Sequence, residues 1–243
     1  MEGTGSLPKA ILFDLDSTIL EYDDPEECWL AVCREFAPEV GVAVESLLRA
    51  IVAARDWQWG DSERHRQARL TLIETRRRIA ESALSSLGIE NMALAHTLGD
   101  TYARMRDGGA RLAPRAADIL VHFRSRGVRL GLVTNGASEL QRAKIGRFGL
   151  AGYFHHIQVE GEFGAGKPDD SVFRHALSRL GVGADEAWMV GDDLDRDIAG
   201  AQGVGIYAVW VDWRGHGLPP GSPVQPDRIV RGITDLLQEP GGV

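Results

Sequence analysis

The segment Ala10–Thr18, with the sequence AILFDLDST, decides the fold of this chain. Its first four residues are apolar and predict a short buried strand, and two carboxylates, Asp14 and Asp16, follow where that strand ends. Side chains two residues apart in extended chain point the same way, so both carboxylates can face one reaction centre. Two like charges that close are unfavourable unless a cation or a shared proton relieves them. The pair therefore predicts a divalent-metal site or a coupled acid–base pair, with a polar turn as the alternative that carries no chemistry.

Three further polar segments lie at the ends of predicted elements farther along the chain. Thr134 and Asn135 follow one apolar run, and Asp192 follows another. Lys167 lies in a Gly-Lys-Pro-Asp turn before a helical pattern. Ligands of open α/β sheets bind beyond the carboxyl ends of the strands, so these residues are candidates for one site. Each also has a plain structural explanation: a helix cap for Asp192, an Asn-Gly turn for Asn135 and an exposed turn for Lys167.

The apolar pattern after Leu112 alternates short strands with helices, which is typical of a parallel sheet. We predict strands over residues 10–13, 129–133, 156–159, 188–190 and 205–211. We predict helices over residues 114–125, 138–148, 170–180 and 195–201. Right-handed crossovers then give a doubly wound, Rossmann-like α/β sheet with Asp14, Thr134 and Asp192 at one edge.

The segment between Asp23 and Asp107 contains no predicted strand. Its apolar residues recur at helical spacing, with glycines and a proline between the stretches. We predict amphipathic helices over residues 26–36, 45–57, 63–87 and 92–105. We expect most of the six arginines between residues 64 and 78 to form a charged solvated face. For Trp57 and Trp59 we favour a place in the core of these helices over the lining of a substrate pocket.

The composition is that of a globular protein that can bury a full core, with 243 residues, 44% hydrophobic and 26% charged. The net charge of -8 argues against nucleic acid as a partner. No apolar run is long enough to span a bilayer, and residues 1–6 lack the features of an export signal. Cys28 and Cys33 lie on different sides of a predicted helix and form no disulfide framework. We expect a cytoplasmic protein without nucleic-acid or membrane partners; the sequence leaves the oligomeric state open.

Taken in order, the four polar segments resemble the four motifs of the haloacid-dehalogenase superfamily, and the chain is identified as a member of its phosphatase branch. The resemblance extends from Ala10 to about Leu237. It implies a catalytic core of residues 1–21 and 108–243, with residues 22–107 as an inserted α-helical cap. The residues of the later three motifs are similar to those of the branch that contains N-acylneuraminate-9-phosphatase and pyrimidine 5'-nucleotidases. The resemblance implies a phosphomonoesterase acting on a small phosphorylated metabolite.

The resemblance also implies roles for the polar residues. Asp14 is the expected nucleophile, which forms an aspartyl-phosphate intermediate. Asp16 is the expected acid for the leaving group and then the base for the attacking water. Lys167 is expected to stabilise the transferred phosphoryl group. Thr134 and Asn135 are expected to donate hydrogen bonds to its oxygens.

The same resemblance implies a metal site. Asp14, the backbone carbonyl of Asp16, and Asp192 form an oxygen-only ligand set, which suits Mg²⁺. Three residues are expected to support these ligands from a second layer: Thr18, Asp193 and Asp197.

Particular residues bear on four alternative functions. Haloacid dehalogenases lack an acid at the position of Asp16, because a halide leaving group needs no proton, so dehalogenation is disfavoured. Phosphonate hydrolysis in the superfamily needs a lysine on the cap, and residues 21–107 contain none. A phosphomutase with the same core site stays open, as does a catalytically inactive homologue that only binds.

Overall fold

The protein is described by a computed structural model, which defines residues 7–238. The expectation about residues 1–6 falls outside this described part. The chain forms two compact units, one of Met1–Glu21 with Leu112–Val243 and the other of Tyr22–Arg111. We call the first the sheet unit and the second the helical unit. No helix within residues 7–238 is both long and apolar enough to cross a bilayer.

Eight strands are present between residues 7 and 238. In chain order they are β1 (Ala10–Phe13), β2 (Leu20–Glu21), β3 (Arg111–Leu112), β4 (Arg129–Thr134), β5 (His156–Val159), β6 (Ala187–Gly191), β7 (Tyr207–Val211) and β8 (Arg228–Val230). Strands β2 and β3 pair with each other. The other six form one parallel sheet in the order β5-β4-β1-β6-β7-β8. The chain moves outward from β1 on one side and then on the other, which confirms the predicted doubly wound fold.

Ten α-helices are present in the same part of the chain. They are α1 (Pro25–Val40), α2 (Val44–Trp59), α3 (Ser62–Leu70), α4 (Leu72–Ser86), α5 (Met92–Gly108), α6 (Ala116–Ser125), α7 (Ser138–Arg147), α8 (Glu160–Phe163), α9 (Asp170–Leu180) and α10 (Gly200–Gly203). Helices α1 to α5 make up the helical unit, and the others belong to the sheet unit.

Strand β1 lies at the centre of the sheet, and all four of its residues are fully buried. An uninterrupted apolar run of this kind is typical of a parallel strand covered on both faces. Gly131 in β4 lets the side chains of Leu12 and Leu180 pack closely, since a Cβ there would lie 2.8 Å from Leu12 and 3.1 Å from Leu180. Leu12 of β1 and Leu180 of α9 thus pack over Gly131 near the end of β1.

The last third of the sheet unit differs from the prediction in two places. The helix predicted over residues 195–201 is a π-helix, Leu194–Ala199, followed by α10. The wide turn arises because the amide of Ile198 donates to the carbonyl of Asp193, five residues earlier, at 3.1 Å. Strand β8 was not predicted at all, because three residues are too few to show a period of two.

The ends of α1 in the helical unit follow from its sequence. The carboxylate of Asp24 accepts a hydrogen bond from the amide of Glu26 at 2.8 Å, and Pro25 occupies the first helical position. Gly41 ends the helix in the left-handed conformation, with φ 78°. Helix α1 buries Trp29, whose ring stacks on Tyr102 with centroids 3.9 Å apart.

Helices α4 and α5 pack unusually close at Gly99. A Cβ on Gly99 would lie 2.8 Å from the Cα and the amide nitrogen of Arg77, which are backbone atoms that cannot move aside. Beside this contact, Arg77 forms two hydrogen bonds to the carboxylate of Asp100, at 2.7 and 2.9 Å. Glycine is therefore required here by the approach of the two helices.

Several predictions for the helical unit are corrected. The helix predicted over residues 63–87 is broken at Thr71, whose φ and ψ of −125° and 46° separate α3 from α4. Trp57 is 63% exposed, so it does not belong to the core, whereas Trp59 packs against the core as predicted. Arg76 is buried and forms two hydrogen bonds to Asp107, so it is an exception to the solvated face expected of most of these arginines.

Candidate active site

The candidate site lies where three neighbouring strands of the sheet end. Phe13, the last residue of β1, is in register with Leu132 of β4 and Val190 of β6. The residues that follow therefore meet at one edge, beside the reversal of strand order at β1. The amide of Asp14 donates to the carbonyl of Val190 at 2.9 Å, so the start of this loop is held by β6.

A buried lysine is the centre of the site. The side chain of Lys167 is 2% exposed, and its Nζ lies 2.6 Å from Oδ1 of Asp14 and 2.6 Å from Oδ1 of Asp197. Lysine is almost never fully buried unless it is paired. One ammonium thus links two carboxylates that the sequence places 183 residues apart.

Burial and like charge shift the acid–base equilibria of this group. Burial raises the pKa of Asp14 to about 7; Lys167 opposes the shift, and the charge of Asp197 adds to it. Burial also raises the pKa of Asp192 well above its usual range, with further contributions from Asp14 and Asp197. Burial alone would lower the pKa of Lys167, but the charges of Asp14 and Asp197 outweigh it and raise that pKa. The site holds more negative charge than its lysine balances.

The carboxylates are close enough to share a cation. Asp14, Asp192 and Asp197 each offer one oxygen, and these oxygens lie within 4.8 Å of one another. An oxygen-only donor set with excess negative charge fits a hard divalent cation such as Mg²⁺. Asp192 is held in place through its backbone, whose carbonyl accepts a hydrogen bond from Nε1 of Trp210 at 2.8 Å.

Asn135 fixes the loop that carries Lys167. Its Nδ2 donates to the carbonyl of Lys167 at 2.8 Å, and its Oδ1 accepts from the amide of Lys167 at 2.8 Å. The peptide bond between Lys167 and Pro168 is cis. Both ends of the Asn135 amide are thus engaged with the lysine backbone, and its expected hydrogen bond to phosphate stays a prediction.

Asp16 and Thr134 are held by helix α7. Nζ of Lys144 lies 2.8 and 2.9 Å from the two carboxylate oxygens of Asp16. Nε2 of Gln141 donates to Oδ2 of Asp16 at 2.8 Å and to Oγ1 of Thr134 at 2.5 Å. Both carboxylate oxygens of Asp16 are therefore tied to side chains of α7.

The loop after β6 separates the two acids expected in the second layer. Asp197 is 2% exposed, and its Oδ2 accepts from the amide of Asp193 at 3.1 Å. Gly191 leaves room for this arrangement, because a Cβ there would lie 2.2 Å from Oδ2 of Asp197. The carboxylate of Asp193 instead caps the π-helix, accepting from the amides of Asp195 and Arg196, and it pairs with the Arg196 guanidinium.

Thr18 occupies a different place from the other expected site residues. It is 2% exposed, and within residues 7–238 its hydroxyl has no hydrogen-bond partner. It follows Ser17, a non-glycine residue that adopts a positive φ of 62° directly after Asp16. Thr18 lines a cleft with Trp213 and Arg231. Its expected support of the metal ligands stays a prediction.

Sequence reasoning missed three residues that shape the site. Gln141 and Lys144 on α7 hold Asp16, and Glu160 accepts a hydrogen bond from the amide of Gly136 at 2.8 Å, which ties the loop after β4 to α8. One signal was present: Lys144 is one of only three lysines in the chain. No comparable signal marks Gln141 or Glu160.

Comparisons with known proteins agree with this architecture. The sequence profile described as "haloacid dehalogenase-like hydrolase" matches residues 8–205. The chain is 34% identical over 207 residues to a ribulose-1,5-bisphosphate 5-phosphatase of Halopiger xanaduensis, covering 84% of each protein. It is 43% identical over 127 residues to a phosphoserine phosphatase of Thermus thermophilus, a match that spans 52% of this chain and only 50% of that relative.

Among solved structures, the chain is similar to a 2-haloacid dehalogenase of Pseudomonas syringae, with 28% identity and a TM-score of 0.58. The match covers 95% of this chain and 96% of that one. The profile match extends over most of the chain and includes Asp14, Thr134, Lys167 and Asp192, the residues that the fold brings to one edge. The chain therefore belongs to the haloacid dehalogenase-like hydrolase family.

Proposed function

We propose that the protein is a Mg²⁺-dependent phosphomonoesterase that acts on a small phosphorylated metabolite. The observation that carries the proposal is the group of Asp14, Lys167, Asp192 and Asp197 at the carboxyl ends of β1 and β6, of which all but the half-buried Asp192 are buried. It combines a carboxylate nucleophile with oxygen ligands and a cation, as the transfer of a dianionic phosphoryl group requires. The phosphatase names of the two relatives support the choice of substrate class.

Asp14 is the proposed nucleophile. Its carboxylate attacks phosphorus, the bond from phosphorus to the leaving oxygen breaks, and an aspartyl-phosphate forms; water then cleaves this intermediate and releases inorganic phosphate. Lys167, 2.6 Å from Oδ1, orients the carboxylate and adds positive charge where the phosphoryl oxygens gather negative charge.

Asp16 is the proposed acid and base. It gives a proton to the leaving oxygen in the first step and takes one from the attacking water in the second. Its side chain is 35% exposed, which leaves it accessible to a substrate. Thr134 is the proposed donor to a phosphoryl oxygen, and Asn135 contributes by holding the loop of Lys167.

Asp14, Asp192 and the backbone carbonyl of Asp16 are the proposed Mg²⁺ ligands. When bound, the cation supplies charge neutralisation that lets a dianionic phosphate approach a group of carboxylates. Asp197 supports this arrangement through Lys167, to which it is paired.

Two other functions are separated by the same residues. The similarity to a 2-haloacid dehalogenase raises halide displacement by Asp14 as a candidate. That reaction needs no proton donor. The carboxylate of Asp16, and the side chains of Gln141 and Lys144 that hold it, would then have no role in catalysis. A phosphomutase shares the whole site and differs in returning the phosphoryl group to the substrate instead of to water.

The test is hydrolysis of p-nitrophenyl phosphate and of a panel of sugar phosphates, nucleoside monophosphates and phosphorylated acids, with release of inorganic phosphate as the readout. We expect turnover with Mg²⁺, none in EDTA, and recovery when Mg²⁺ is added back. Asp14→Asn, which keeps the shape of the side chain, should abolish turnover. Full activity in metal-free enzyme, or chloride release from 2-chloropropionate without any phosphate release, would contradict the proposal.

A further inference from the structure

The carboxylate of Asp16 is held more firmly than its position in a loop requires. Nζ of Lys144 lies 2.8 Å from one oxygen and 2.9 Å from the other, and Gln141 donates to the second oxygen at 2.8 Å. A carboxylate with donors on both oxygens has few orientations left. These donors come from helix α7, which contributes no residue to the group around Lys167.

Lys144 and Gln141 share one face of α7. They are three residues apart, so their side chains project in neighbouring directions. Gln141 is 3% exposed, and the side chain of Lys144 is 20% exposed, so neither simply extends into solvent. The same nitrogen of Gln141 lies 2.8 Å from the carbonyl oxygen of Asn135. The pair therefore connects Asp16 to the loop that follows β4.

We infer that Lys144, assisted by Gln141, is a positioning residue that holds the carboxylate of Asp16 in the orientation needed for proton transfer. The inference rests on the proposed function, because it takes Asp16 as the acid and base. Lys144 acts through Asp16 and is assigned no contact with the reacting atoms.

The physical basis is preorganisation. An aspartate that is 35% exposed would otherwise sample several rotamers, and each turnover would have to find the productive one. A misplacement of about 1 Å at a catalytic group costs on the order of 100-fold in rate. A misplaced Asp16 impairs proton transfer alone. Hydrolysis therefore slows for substrates whose leaving group must be protonated, and it changes little for substrates whose leaving group departs as an anion.

The test compares Lys144→Met with the unchanged protein on two substrates, p-nitrophenyl phosphate and the best alkyl phosphate of the panel. We expect kcat on the alkyl phosphate to fall by about 10- to 100-fold, with a clearly smaller fall on p-nitrophenyl phosphate and little change in KM. Lys144→Arg keeps the charge and the donors and should restore most of the loss. An equal fall on both substrates, or no fall, would overturn the inference.

Arg142→Gln is the matched control. Arg142 lies on the same helix and also pairs with a carboxylate, Glu162, at 2.6 Å, so the change removes one charge and one ion pair without touching Asp16. We expect it to leave the ratio of the two substrates unchanged. If Arg142→Gln shifts that ratio as Lys144→Met does, the effect comes from the charge of α7 in general and not from the contact of Lys144 with Asp16, and the inference is overturned.

A double variant separates this inference from the proposed function. In an Asp16→Asn background, Lys144→Met should cause no further loss, because the group that it positions is already inactive. A further loss there would overturn the inference alone. An unchanged protein that hydrolyses neither substrate would overturn the proposed function and the inference with it.

Discussion

Lys167 is the residue on which the site depends electrostatically. It is the cation bonded to Asp14 and Asp197, and all three side chains are largely removed from water. Removing one partner of a buried ion pair leaves the other charge uncompensated, which costs about 3–5 kcal/mol. The residue is therefore needed for the stability of the site as well as for the proposed chemistry.

We expect Lys167→Met to destabilise the protein by about 3–5 kcal/mol at neutral pH in the presence of EDTA, because two carboxylates stay buried without a cation. Saturating Mg²⁺ should reduce the loss, since it neutralises the same carboxylates. Urea unfolding followed by circular dichroism measures both effects. Lys9→Met is the control, because Lys9 pairs with Glu186 in an exposed position and should matter little. Equal effects of the two substitutions would contradict this account of Lys167.

At the scale of single residues, the sequence predicts the members of the site that follow strand ends. The apolar runs before Asp14 and before Asp192 each predict a buried strand. In a parallel sheet the carboxyl ends of such strands lie at one edge, so the residues that follow them are predicted to lie together. Gln141 and Lys144 could not be predicted in the same way. Their contact with Asp16 depends on how α7 packs on the sheet and on which face it turns inward, and a charged residue at helical spacing ordinarily indicates a solvated face.

The elements that matter most for the site are β6 and the π-helix after it. The wide turn of Leu194–Ala199 returns Asp197 over the end of β6, where it reaches Lys167. Periodicity could not predict this, because apolar spacing fixes which side of a helix is buried and not whether one extra residue enters a turn. The same limit applies to Thr71, where one β-branched residue in non-helical conformation divides a continuous pattern into α3 and α4.

We expect Gly191→Ala to disrupt the site through this turn. The new Cβ would lie 2.2 Å from Oδ2 and 2.6 Å from Cβ of Asp197, so the whole aspartate must move and its pairing with Lys167 weakens. Overpacking of this kind costs about 1–3 kcal/mol, and turnover should fall with it. Melting temperature and p-nitrophenyl phosphate hydrolysis are the measurements.

Gly146→Ala on α7 is the matched control for that substitution. A Cβ at Gly146 meets nothing within 4 Å, and alanine is favoured over glycine in a helix by up to about 1 kcal/mol. This variant should be as stable as the unchanged protein or slightly more so. A Gly191→Ala variant with unchanged stability and turnover would show that Asp197 can move without consequence.

At the scale of the whole molecule, the chain divides its residues between two kinds of unit. Every residue of the proposed chemistry belongs to the sheet unit, and the helical unit, Tyr22–Arg111, supplies none of them. We propose that the helical unit selects the substrate. It has a cleft of its own, lined in part by Trp57, Arg64 and Arg78.

The residues that line this cleft indicate the kind of substrate that it would bind. Its lining includes two arginines, two glutamines, a serine and four apolar residues, and no acid is among the described residues that line it. The guanidinium of Arg64 lies over the ring of Trp57 at 4.1 Å, and within residues 7–238 Arg78 has hydrogen bonds to threonine hydroxyls but no ion pair with a carboxylate. Arg64 has an ion pair with Asp61 at 4.0 Å, so Arg78 is the arginine whose donors favour a ligand that carries a second anionic group.

We expect Arg78→Gln to lower kcat/KM for phosphorylated metabolites that carry a second anionic group by about 10-fold or more, because a hydrogen bond to a charged group contributes about 1.5–3 kcal/mol. Turnover of p-nitrophenyl phosphate, which has no such group, should stay the same. Arg34→Gln serves as control, since Arg34 is exposed on α1 and lies outside the cleft. Binding energy from the remote part of a substrate positions its reacting end, so a change in the ranking of substrates, with the nitrophenyl rate preserved, is the signature of selection by the helical unit. If Arg78→Gln leaves the ranking intact or lowers every rate equally, this cleft does not choose the substrate.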